Sequence, residues 1–537
     1  MRTRLVVASV ASFGLLAVAC SSGESVQQAG EGGGDTAAVE ATEAPVTEAA
    51  EPTDTGSAST DTTDSAAPAD EGSDVTSDGA DATTTTTTAP APTTTVAPLA
   101  DQPPCPVDAL DEAGGPVQIT FWHAMTNELE AALIELTDQY NASQDRVVVN
   151  LQNQTSYDSS IDKYILSSPG SRPHLIQLPD YALQSFAQSD TFVPSGACLE
   201  SSAYDTGAFL PRALTAYQFE GIQWAMPFNI SDPVLYYNRR LFEDAGLDPD
   251  DPPITLEDLR ATSQQLVDSG AAGVGIVLDT GPNSGGGWYL EQWFGRVGEP
   301  YANNGNGRLA PATEVLYDNE LGVELLTFLQ GMIADGLAAN VGDNPDGSAS
   351  LLKLADPEDP GAMTIGSSAA LGSVISALGG GLVPGLGPED IGVGPMPGPS
   401  PEPSVQVGGG SLWIVADKGD AEAAAAWDYT TFLTSAQTQS TWASRTGYVP
   451  VREDAIGIEP LAATYTDDPR FQVAYDQLLT RADDLTANAP VLGPMREVRD
   501  ATAGAVAAIF NGADPATSLA DAAEQSNTLI ASYNARS

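Results

Sequence analysis

The stretch MPFNISDPVLYYNRRLFEDAGLDPDDPPITLEDL, residues 226–259, decides how the rest of the chain is read. A buried apolar strand runs through VLYY, gives way after Asn238 to an exposed charged helix, and passes a proline-rich turn to a second helix start at Thr255. Asn229 and Ser231 are polar positions just ahead of the buried part. Polar groups beside so abrupt a switch imply that something is bound there. Tyr236 and Tyr237 read as packing residues of the strand.

Outward from this stretch, strands and helices alternate. Residues 116–124 (PVQITFWHA) read as a buried strand, and 127–143 (NELEAALIELTDQYNAS) set Leu129, Leu133, Leu136 and Tyr140 at helical spacing. RVVVNLQ returns as a strand, SIDKYILSS as a helix, and PHLIQLP as a third strand. This β-α-β-α-β run implies a parallel sheet covered by helices, with ligands beyond the carboxyl ends of the strands, where Tyr157 and Asp180 fall. Downstream, PITLEDLRATSQQLVDSG is a helix with Thr255 as N-cap and Asp258 three residues on. GVGIVL and GAMTIGSS read as strands, NELGVELLTFLQGMIADGL as an amphipathic helix, GPSPEPS as a break, and GGGSLWIVA as a strand before the helix DAEAAAAWDYTTFL. The pattern is that of two α/β lobes with the chain passing between them more than once.

At 537 residues the chain exceeds one domain, yet its first hundred residues are not built to fold. Residues 1–20, MRTRLVVASVASFGLLAVAC, pair Arg2 and Arg4 with an apolar run and small residues, the pattern of an export signal. Cys20 after Leu16, Ala17, Val18 and Ala19 resembles a bacterial lipobox, making it the expected lipidation site. That box more often has leucine where Ala17 stands, and an ordinary secretory signal is the alternative. Residues 21–104 are Thr, Ala, Ser, Pro and acidic residues without Lys or Arg, too poor in apolar groups to offset ordering entropy. They are expected to form a disordered acidic stalk with a reach of about 50 Å.

The net charge of −53 argues against nucleic acid and anionic lipid as partners, and an anionic ligand would need local donors. Cys105 and Cys198 are the cysteines beyond Cys20; an oxidising compartment favours a disulfide between them, and two separate buried thiols are the alternative. Apart from the signal, no apolar run approaches the length of a membrane span. Enzyme readings find little support. There are two histidines, His123 and His174, and no G-x-S-x-G, H-E-x-x-H, C-x-x-C or P-loop. His123 reads as a satisfied structural histidine, and Asp248, Asp250 and Asp251 as a solvated turn. No metal site and no cofactor are expected.

The segments FWHAM, MPFNISDPVLYYNRRLFEDAGLDP, GGGSLWIVA and TGYVPV, in this order, resemble the extracellular solute-binding proteins (family 1) of carbohydrate-type ABC importers, and among them the glycerol-3-phosphate- or glycerophosphodiester-binding members. The resemblance implies an α/β, two-lobed periplasmic-binding-protein fold of type II with hinge crossings and an interlobe cleft. Residues 105–230 and 402–455 would form the first lobe, 231–401 and 456–537 the second. It further implies a monomeric receptor at the outer face of the cytoplasmic membrane, anchored there by lipid alone, that delivers a small molecule to ABC permease subunits with their ATPase.

Carried over residue by residue, the family's ligand contacts fall on Tyr157, Asp180, Ser231, Trp288, Ser367, Gly409, Tyr448 and Arg499. Asp180 stands where glutamate is more usual, and Gly285 where better-known members have a tryptophan, which implies a wider cleft on the glycerol-distal side. The chemistry suits a glycerol phosphoester. Arg499 offers a planar fork to phosphate oxygens, Ser231, Ser367 and Tyr448 offer hydroxyls, Gly409 offers close backbone approach, Asp180 accepts from glycerol hydroxyls, and Trp288 covers a glycerol or choline face. Arg499 read alone is equally a surface ion-pair residue beside Glu497 and Asp500, and Gly409 a simple bend. The rival readings are a sugar-binding member of the same fold, a lipid-anchored glycosidase and a stalked adhesin.

Overall fold

Two consecutive strands, Met226–Ser231 and Pro233–Asn238, are separated by Asp232 alone and belong to different sheets. The computed structural model describes residues 104–345 and 347–536. The export signal, Cys20 and the acidic stalk up to residue 103 lie outside the described residues.

In chain order the strands are β1 (Val117–His123), β2 (Val147–Asn153), β3 (Leu175–Pro179), β4 (Phe192–Val193), β5 (Gln218–Phe219), β6 (Ile222–Gln223), β7 (Met226–Ser231), β8 (Pro233–Asn238), β9 (Val274–Leu278), β10 (Ala338–Asn340), β11 (Gly361–Ser367), β12 (Ile391–Pro395) and β13 (Gly408–Val415). One sheet has the order β2-β1-β3-β13-β4, with β7 also paired to β13. The parallel arrangement expected from the β-α-β-α-β run holds for β1 with β2 and β3. β13 then returns from far along the chain and pairs antiparallel with β3, β4 and β7. The second sheet, β10-β9-β11-β8-β12, is likewise mixed, β8 running antiparallel to both its neighbours. This is the α/β two-lobed fold of type II periplasmic binding proteins.

Local chemistry explains why these residues form these elements. β7 and β8 are buried at every position, as strands covered on both faces must be, whereas the edge strand β2 begins with strict alternation of buried and exposed residues. Asn238 ends β8 and caps the helix Arg239–Asp244, its Oδ1 accepting from the backbone N–H of Arg240 at 3.1 Å. Thr255 and Asp258 form a reciprocal capping box at the start of the helix Leu256–Asp268. Tyr236 and Tyr237 pack as expected, their hydroxyls donating to the carbonyls of Ser367 (2.8 Å) and Pro249 (2.7 Å). The sulfurs of Cys105 and Cys198 are bonded, fixing the start of the folded part to the helix Ser195–Ser202. His123 is buried, but among the described residues its Nδ1 has no hydrogen-bond partner, and burial lowers its pKa to about 4 against the pull of Glu130. It is a neutral core histidine, and the expectation that its polar atoms are satisfied fails at Nδ1.

Candidate functional site

The carboxyl ends of the strands and the loops that follow them enclose a cavity of about 500 Å³. Tyr157, Asp180, Ser231, Trp288, Ser367, Gly409, Tyr448 and Arg499 all line it, together with Asp158, Tyr181 and Asn283 among others. Five of the eight, Trp288 among them, sit at element ends: Tyr157 opens the helix Tyr157–Leu166, Asp180 follows β3, Ser231 ends β7 and Ser367 ends β11. Trp288 begins the helix Trp288–Val297, and Arg499 lies on the helix Met495–Phe510.

One wall is a hydroxyl cluster held from behind. Asn229 Nδ2 donates to the Tyr157 hydroxyl at 2.8 Å, while Asn229 Oδ1 accepts from Gln177 Nε2 at 2.7 Å, so a fully buried amide pair fixes the phenol. Burial pushes the phenols of Tyr157 and Tyr448 up, which keeps them neutral donors. Gly409 has φ +93°, and a Cβ there would overlap the Asn229 carbonyl oxygen. The close approach of β13 to β7 therefore requires this glycine whether or not a ligand is present. Trp288 Nε1 is buried with no acceptor among the described residues, so ring carbon is what Trp288 presents to the cavity.

Another part of the lining is charged. Arg499 is 3% exposed; its Nε and Nη2 bond the two oxygens of Glu291 at 2.7 and 2.8 Å, Nη2 also donates to Asp180 at 3.1 Å, and Nη1 to Asn283 Oδ1 at 3.2 Å. Four of the five guanidinium donors are thus committed to the protein. Burial alone would lower the Arg499 pKa, but Glu291 and Asp180 outweigh it and hold the charge firmly in place. Burial raises the pKa of both carboxyls, with Arg499 opposing. Asp158 is matched by Arg496, whose Nε lies 3.2 Å away. One guanidinium between Asp180, which lines the cavity, and Glu291, buried behind it, leaves this charged group net negative. Arg499 is not a surface ion-pair residue.

Glu291 and Asn283 went unnoticed in the sequence. Glu291 follows Trp288 by three residues in an amphipathic helix, where a carboxylate reads as solvent-facing, and only its 0% exposure marks it out. Gly285 requires a correction. The Asp279 carboxylate accepts from the N–H groups of Gly281 (3.0 Å) and Gly285 (3.1 Å), which curls the loop before Trp288 so that Gly285 packs on Asp279 and away from the cavity. A Cβ at Gly285 would overlap the Asp279 carbonyl oxygen, so the glycine serves this turn and does not widen the cleft. Among the described residues no group of His, Cys, Asp and Glu is placed to hold a metal, and no helix is long and apolar enough to cross a membrane.

The sequence profile of a family described as bacterial extracellular solute-binding protein matches residues 135–473. The sn-glycerol-3-phosphate-binding periplasmic protein UgpB of Yersinia pseudotuberculosis is 25% identical over 426 residues, covering 77% of this chain and 92% of its own. Its counterpart in Rhizobium meliloti is 26% identical over 430 residues, covering 78% and 95%. Among solved structures, UgpB from Mycobacterium tuberculosis in complex with glycerophosphocholine matches with a TM-score of 0.65 at 21% identity, over 78% of this chain and 99% of that one. The GacH receptor of Streptomyces glaucescens, solved unliganded and with acarbose, matches with a TM-score of 0.63 at 18% identity over the same shares. At these identities the two structures establish a common fold.

Proposed function

Because this chain belongs to the bacterial extracellular solute-binding proteins, the non-enzymatic capture components of ABC importers, we propose that its ligand is a glycerophosphodiester held in the cavity between the two sheets. The observation that carries this reading is the convergence of Tyr157, Asp180, Ser231, Trp288, Ser367, Gly409, Tyr448 and Arg499 on one cavity. Charge distinguishes among phosphoesters. A monoester such as glycerol-3-phosphate carries about −1.5 to −2 at neutral pH and would meet a charged group already net negative. A diester carries one negative charge, which the remaining Arg499 N–H, the two phenols and the serines can serve, and a cationic headgroup such as choline complements Asp180. The names of the relatives, and the glycerophosphocholine complex of the Mycobacterium tuberculosis protein, support the same ligand class.

Capture needs no covalent chemistry. Ligand touching both lobes biases a hinge equilibrium toward closure, and the closed receptor docks on the permease, whose ATPase acts elsewhere. The lobes are taken as 105–230 with 402–455 and 231–401 with 456–537. The placement of β7 and β13 in one sheet and of β8 and β12 in the other supports this division. The receptor is a monomer anchored through lipid on Cys20; a Cys20→Ala protein should leave the membrane fraction.

A neutral sugar is the second reading, favoured by one observation: Glu291, Asp180 and Asn283 already occupy most of Arg499. Titration calorimetry with glycerophosphocholine, glycerol-3-phosphate and maltose decides. Glycerophosphocholine should bind most tightly. Tight maltose binding without measurable phosphoester binding replaces the first reading by the second.

A further inference from the structure

Beside the polar cavity lies a second hollow of about 490 Å³, and Thr126, Ser367 and Tyr448 line both. Its character is opposite. Leu351, Leu354, Val374, Leu378, Val383 and Leu386 form its walls, and among the described residues no Asp, Glu, Lys or Arg lines it, in a chain with a net charge of −53. The helix Leu371–Gly379 supplies Ser373, Val374, Ala377 and Leu378, one face at helical spacing, and Leu352 stands at the groove 54% exposed. A charged, hydroxyl-rich chamber adjoining an apolar groove is complementary to an amphiphile. The chain's own N-terminal segment is no candidate occupant, since residues 21–104 have almost no large apolar side chains.

We propose that the site takes acylated glycerophosphodiesters, with the phosphodiester head in the polar cavity and a fatty acyl chain in the groove. The inference rests on the phosphodiester reading above and deepens it from a polar solute to a lysophospholipid class. Each methylene that leaves water for the groove should strengthen binding about fourfold.

The test is calorimetry on the full folded chain with glycerophosphocholine and its acetyl, butyryl and hexanoyl monoesters, all below their micelle-forming concentrations. Affinity should rise with chain length. Ser373 is half-buried and lines the groove but not the polar cavity. Ser373→Trp should therefore abolish the rise and leave glycerophosphocholine affinity unchanged within about twofold. Glycerophosphocholine binding with no dependence on chain length in the unmodified protein overturns the inference and spares the phosphodiester reading, and needs no variant to fold. Absence of glycerophosphocholine binding removes both. A chain-length gain that survives in a folded Ser373→Trp protein overturns placement in the groove. Sedimentation as a dimer that Ser373→Trp dissociates assigns the groove to a second copy and likewise overturns it.

Discussion

Removing the Arg499 side chain should damage stability before it damages binding. Arg499 holds both oxygens of Glu291, which has no exposure, and one oxygen of Asp180. Arg499→Ala leaves Glu291 as an uncompensated buried carboxylate, at a cost of about 3–5 kcal/mol. Without its partner, the folded pKa of Glu291 moves further above the unfolded one. The stability of the variant is then fullest below the unfolded carboxylate pKa and is lost as pH rises toward the folded one, so its deficit should shrink on acidification from pH 7 to 5. Replacing both partners by apolar groups, Arg499→Met with Glu291→Leu, should restore stability to within about 1–2 kcal/mol of the parent, Asp180's lost partner accounting for the rest. Urea denaturation of the ligand-free proteins, followed by tryptophan fluorescence, measures each step. In the restored double variant, phosphodiester affinity should fall about thirtyfold or more, equivalent to at least about 2 kcal/mol. An Arg499→Ala protein within about 1 kcal/mol of the parent, gaining nothing from Glu291→Leu, refutes the buried-pair argument.

Asp232, between β7 and β8, is fully buried, with Oδ1 accepting from Gln477 Nε2 at 2.8 Å and Oδ2 unpartnered among the described residues; burial raises its pKa well above the usual range. Its contribution is therefore present below the unfolded pKa of about 3.9 and lost as pH rises. Asp232→Asn should raise the melting temperature at pH 7 and flatten its pH dependence, measured by calorimetric scans from pH 4 to 8. Replacing Cys105 and Cys198 by serine opens a cross-link spanning 93 positions and should cost about 2–5 kcal/mol in denaturant titrations; equal stability of the two proteins would count against a structural role. Gly285→Trp should lower stability by about 1–3 kcal/mol or more, because the loop around Asp279 has no room, and leave the ratio of glycerophosphocholine to glycerol-3-phosphate affinity unchanged. A shifted ratio at unchanged melting temperature would return Gly285 to the cleft wall.

Local order was written in the sequence. The helix Asn127–Ser143 matches its apolar spacing to the residue, and the capping pair Thr255 and Asp258 forms as its spacing requires, because such signals depend on neighbours within one turn. The alternation of strands and helices also placed Tyr157 and Asp180 beyond the carboxyl ends of strands, where α/β sheets bind ligands. What the tertiary structure decided is everything that joins distant segments. The antiparallel insertion of β13 beside β3 depends on pairing across more than two hundred residues, which no local period records. Glu291 and Arg499, 208 residues apart, meet only because the tertiary fold brings their two helices side chain to side chain, and their union turned an exposed-looking arginine into a buried ion-pair partner. Gly285 misled for the same reason: its position in the chain lies beside Trp288, but the Asp279 carboxylate sets which way the loop faces. Side-chain direction at a loop, and the charge balance of a site assembled from many segments, are properties of packing, and sequence periodicity carries neither.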